Sequence, residues 1–323
     1  MTFKFKVASI NSNQLLRAIA IMFVVANHAT WFSLKGGMNF LLLLSGYNFA
    51  AFSFSKTNKA IIIDLWHLIR KIAIPSMIVM ISYFIINQRF EVAELFMISN
   101  WLYLNKVTDI ALPIWYPQMF FQMGMLLTIL FLTFPIHKLI IHNKITATIA
   151  LVLISLMLFI ISTSNYDSSH LYNRLPHLML WNFVLGWSFW ALLNTRDVKS
   201  KIYASLLLFC CVYIVYGRGN AQDNHLEIFL SLTLTFIWLK NVYLPHFFVT
   251  ILNLISSATL YIFLLHLSFF QIYNYFIPEF TLNYKIEVLS KFTFSVFGCV
   301  LVWLLITAGN NARIRLRNHK ESA

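Results

Sequence analysis

Ten apolar runs, each about 14 to 30 residues long and nearly free of charge, fill most of this sequence. No other feature constrains the fold as strongly, because about 20 apolar residues are what a helix needs to cross a bilayer. The runs are Leu15 to Leu34, Met38 to Phe54, Ile72 to Ile86, Trp115 to Phe134, Ile145 to Ile161, Pro176 to Leu193, Ile202 to Val215, Leu226 to Leu239, Phe247 to Phe276 and Val288 to Ala308. Lipid offers the backbone no hydrogen bonds, so each run is read as a helix that satisfies its own amides and carbonyls. The chain is 59% hydrophobic and 11% charged, against about 25% charged in soluble domains. A soluble fold of 323 residues lacks the interior to hide that much apolar surface. The expectation is an all-α polytopic membrane protein with about ten transmembrane helices, one membrane domain over residues 1–323 and no fused soluble domain.

An eleventh run, Val92 to Leu104, is shorter and lies beside Glu91 and Glu94. The positive-inside rule decides whether it crosses. If it stays on one side and the N-terminus is cytoplasmic, 17 of the 24 basic residues fall inside and 7 outside. If it crosses, every later segment flips and the split is 12 to 12. The asymmetric solution is preferred, with N- and C-termini both cytoplasmic. The formal net charge of +13 then belongs to the inner face of a membrane, and no nucleic-acid partner is expected. Cys210, Cys211 and Cys299 lie in apolar runs without metal-ligand spacing, so no metal site is expected.

Polar residues inside such helices are expensive and point to function. Arg17 and His28 share the first run. Eleven steps of 100° bring both to about the same helix face, roughly 16 Å apart along the axis. Asn39, Ser45 and Gly46 open the second run, where small residues also serve close packing. Arg70 and Lys71 precede Pro75 at the entry to the third run; a guanidinium fork matches phosphate oxygens. Tyr261 and His266 lie in the ninth run, and with both histidines in the outer half, His28 and His266 are expected to line one polar cavity.

These residues, in this order, resemble the acyltransferase-3 family of bacterial integral membrane acyltransferases. The likeness rests on Arg17 with His28, Gly37 to Tyr47, Arg70 to Pro75, Trp115-Tyr116, Arg174 followed by Phe183 and Gly186, and Thr259 to His266, covering about residues 15 to 310. Asn39 stands where the family has an acid, and no Glu follows Trp115-Tyr116; Gln118 and Gln122 are nearest. Carboxylate roles are therefore not transferred.

The resemblance implies O-acylation, most often O-acetylation, of an exported polysaccharide or lipid-linked glycan at the bacterial cytoplasmic (inner) membrane. The donor would be cytoplasmic acyl-CoA, as a substrate and not a permanently bound cofactor. A thioester is already activated, so the acceptor hydroxyl chiefly needs a base. His28 is expected as that base, with His266 and Tyr261 beside the reacting groups. Arg17, Arg70 and Lys71 are expected at the CoA phosphates. Asn39, Ser45, Trp115 and Arg174 are expected to line the substrate path. A transporter or flippase would also carry polar residues in its spans; the ordered motifs favour the enzyme. Nothing in the sequence sets acceptor, acyl length or oligomeric state.

Overall fold

A computed structural model describes residues 6–30, 34–88, 92–102, 115–134, 136–165, 175–217, 225–277 and 283–321. The chain divides into two compact units, Met1–Leu34 with Asn241–Ala323, and Lys35–Lys240.

The first unit begins with strand β1 (Val7–Asn11), which runs straight into α1 (Ser12–His28). Asn11 caps α1 by accepting from the Asn13 amide. The Leu15 to Leu34 run thus starts earlier as a helix and ends at His28. Ala29 closes it, and Thr30 follows at φ 61°. In the second unit, α2 (Gly37–Ser53) and α6 (Trp115–Thr133) match their predicted runs closely. So do α8 (Lys144–Asn165), α9 (Pro176–Leu192), α10 (Val198–Tyr216) and α11 (His225–Trp238).

Two departures in the second unit have local causes. Helix α3 (Asn58–Asn87) is 30 residues long, about 45 Å, and so outruns a hydrocarbon core of about 30 Å. Thr57 caps it by accepting from the Ala60 amide, so the polar stretch before Ile72 is helical too. Arg70 and Lys71 therefore sit inside the helix rather than at its entry. Within the Val92 to Leu104 run, the described residues 92–102 form two four-residue turns, α4 (Val92–Leu95) and α5 (Ser99–Leu102), each too short to cross. A short helix, α7 (Ile136–His142), precedes α8.

Helix α9 is the core of this unit. It is buried nearly all round and packs against α2, α6, α8 and α10. Among the described residues, five helices are long and apolar enough to cross a membrane: α3, α6, α8, α10 and the last helix, α14 (Tyr284–Glu321), through Ala312. Helices α1, α2 and α9 have 17 residues each, about 25 Å, and need flanking residues to span.

The predicted ninth span is not one helix. Strand β2 (Asn241–Pro245) leads into α12 (His246–Ser257), and Ala258 separates it from α13 (Thr259–Phe276) with an 81° bend. Counted as one broken span, this pair brings the total among described residues to six. β1 and β2 form a two-stranded antiparallel ladder, Val7 opposite Pro245 and Asn11 opposite Asn241. The ladder ties the start of α1 to the segment before α12. Helix α1 packs on α12 and α13, and α14 returns along α13.

Candidate active site

The first unit brings two of the expected residues into contact. His28 is the last residue of α1, and His266 is the eighth of α13. His28 Nδ1 lies 2.6 Å from His266 Nε2. The rings are within 5° of parallel, with centroids 4.9 Å apart. Stacked rings would keep their atoms about 3.5 Å apart, so the 2.6 Å contact means the rings meet edge to edge in nearly one plane. His266 is fully buried, whereas His28 is exposed.

The surroundings hold His266 rigidly. Its Nδ1 faces the carbonyls of Ile262 at 3.0 Å and Phe263 at 2.8 Å. Phe270 meets its ring edge-on, with centroids 5.8 Å apart, and Phe263 lies against it at 6.2 Å. Ser295 of α14 donates to the His266 carbonyl at 3.1 Å. Beyond His28, Thr30 and Tyr284 share hydroxyl contacts at 3.3 Å.

Because the chain bends at Ala258, His266 lies in the first half of α13, with ten residues, about 15 Å, of helix beyond it. Ser295 is a similar distance into α14.

Arg17 lies on α1 about 16 Å from His28 along the axis. It is half-buried and donates to Asn13 Oδ1 at 3.1 Å, one turn towards the helix start. Tyr261, five residues from His266, points about 140° away around α13, so it is not brought to the histidines.

The other expected residues belong to the second unit. Asn39 is buried and donates to the Tyr216 hydroxyl at 2.9 Å, while its backbone carbonyl accepts from Asn182 Nδ2 at 2.8 Å. Ser45 donates to the Leu41 carbonyl at 2.8 Å and hydrogen-bonds Tyr116. Trp115 meets Tyr116 edge-on, with centroids 5.9 Å apart. Gln118 and Gln122 hold α5: Gln118 accepts from Ser99 Oγ at 2.9 Å, and Gln122 accepts from the Trp101 indole at 2.7 Å. Arg70 and Lys71 are exposed on α3. Arg174 lies outside the described residues.

Sequence reasoning missed Ser295 and Tyr216. A serine in the apolar stretch Lys291 to Val300 was the available signal for the first. Among the described residues, no group of three His, Cys, Asp or Glu side chains is placed to hold a metal ion.

No curated protein and no solved structure matches the chain. The model of one family, described as an acyltransferase domain, matches residues 10–308, nearly the whole chain. With its ordered motifs and its apolar helices, this multi-spanning membrane protein belongs to the acyltransferase-3 family.

Proposed function

We propose that the protein transfers an acyl group, acetyl in the first instance, from cytoplasmic acyl-CoA to a hydroxyl of an exported or lipid-linked glycan. It would work in the bacterial inner membrane with about ten spans and both ends cytoplasmic. The observation that carries the reading is the exposed His28, at the end of α1, beside the buried His266.

The step balances with one base. His28 accepts the proton of the acceptor hydroxyl as its oxygen attacks the thioester carbonyl. The C–S bond breaks, the ester forms, and the proton returns from His28 to the CoA sulfur. The protonated ring is formed at the C-terminus of α1, where the free carbonyls favour a cation. Arg17 stands about 16 Å from His28 on the inner side, a separation that suits a phosphate at the inner surface and a thioester at the histidine. Arg70 and Lys71 offer a second, exposed place for phosphate on their own unit. Asn39 and Ser45, by contrast, spend their hydrogen bonds on Tyr216 and on the helix backbone.

The test uses inside-out membrane vesicles containing the protein, with acetyl-CoA labelled in the acetyl group. The proposal expects label in membrane glycan or lipid and an equal release of free CoA thiol, both absent from vesicles without the protein. Movement of an acceptor across the vesicle membrane with no CoA release would establish a transporter instead.

A further inference from the structure

We infer that His266 is a positioning residue that dictates which nitrogen of His28 carries the lone pair, and this rests on His28 being the base of the proposed transfer. Ile262 and Phe263 present oxygens to His266 Nδ1 at 3.0 and 2.8 Å, and a carbonyl oxygen only accepts. The hydrogen of His266 therefore sits on Nδ1. A neutral imidazole has one N–H, so its Nε2 is an acceptor.

That acceptor lies 2.6 Å from His28 Nδ1. Two lone pairs repel at that distance, so Nδ1 of His28 carries the hydrogen and donates. The coplanar rings place this hydrogen bond along both ring planes. By elimination, the free nitrogen of neutral His28 is Nε2. His28 is the exposed partner, so this nitrogen is the one offered to an acceptor hydroxyl.

Both nitrogens of His266 are engaged and the residue has no exposed surface, so it touches no substrate. It acts through His28, as an orienting group does behind any catalytic base. When Nε2 takes up a proton, the Nδ1–H bond to His266 is unchanged, so the same geometry serves both protonation states. Phe263, Phe270 and the Ser295 bond to the His266 carbonyl keep the ring from turning.

The experiment has two arms. The first records 15N spectra of histidine-labelled wild-type protein in detergent, with His28 assigned by loss of its signals in His28→Ala. The hydrogen of His28 is expected on Nδ1; a hydrogen on Nε2 overturns the inference without requiring any His266 variant to fold. The second compares His266→Ala with His266→Gln, using acetyl-CoA as donor and native membranes as acceptor. The Gln side-chain oxygen accepts where His266 Nε2 does. His266→Ala is expected to lower kcat towards the roughly 10²- to 10⁴-fold loss of a missing base, with KM for acetyl-CoA unchanged, and His266→Gln to recover most of it. Full activity in His266→Ala beside inactive His28→Ala would overturn the positioning role while sparing His28 as base. Activity in His28→Ala would overturn the base itself.

Discussion

Gly46 on α2 and Gly186 on α9 let these two helices touch backbone to backbone. A Cβ on Gly46 would lie 1.9 Å from the Phe183 carbonyl oxygen, and one on Gly186 would lie 2.2 Å from the Leu43 carbonyl oxygen. Neither obstacle can rotate away, because both belong to helix backbone. The small residues of two family motifs thus meet each other, and their function is packing. Gly46→Ala and Gly186→Ala should each cost at least the ~1–3 kcal/mol of an overpacked core. Thermal unfolding in detergent would show this as a lowered midpoint, and an unchanged midpoint in both would contradict the close approach.

Gln118 is predicted to be structural. Its side-chain oxygen accepts from Ser99 Oγ at 2.9 Å and from the Asn100 amide at 3.3 Å, both at the start of α5. Gln118→Leu leaves those buried donors bare, a cost of about 1–3 kcal/mol. Hydrogen exchange at the Asn100 amide should quicken by about tenfold or more. Unaltered protection would remove Gln118 from that role.

The predicted runs and the observed helices agree best where a segment is apolar throughout. Helices α2, α6, α8 and α9 fall within a few residues of their runs, because burial in lipid or in the core leaves a backbone no other way to satisfy itself. Agreement fails where the cause is not local. The 81° bend falls at Ser256-Ser257-Ala258-Thr259, small and polar residues inside an otherwise apolar run, with no proline or glycine to set its size. The ladder of β1 with β2 joins segments more than 200 residues apart. Helix α3 reaches back over Asp64, Arg70 and Lys71 because a cap at Thr57 starts it, which hydropathy does not register.

The site was half legible. Arg17, His28 and His266 could be named because ionisable groups stand out in apolar runs. A shared cavity for the two histidines was expected as well; their direct, coplanar contact was not, since it depends on how two helices pack.

Arg17 makes an independent prediction. A lost charge-assisted bond to phosphate costs about 1.5–3 kcal/mol, so Arg17→Ala should raise KM for acetyl-CoA by roughly tenfold or more. Protein abundance should hold, because Arg17 donates to Asn13, its near neighbour on the same helix. Isothermal titration with CoA would check the same point; equal affinity in both proteins would take Arg17 out of the donor site.

The most direct measurement concerns His28. Its exposed ring ends α1 against His266, and its place as base is the centre of the account. Vesicles carrying equal amounts of wild-type protein and His28→Ala should be given acetyl-CoA labelled in the acetyl group, and transferred label counted. His28→Ala is expected to lose about 10²-fold or more of the transfer. Transfer at the wild-type rate, from protein of equal abundance, would contradict it.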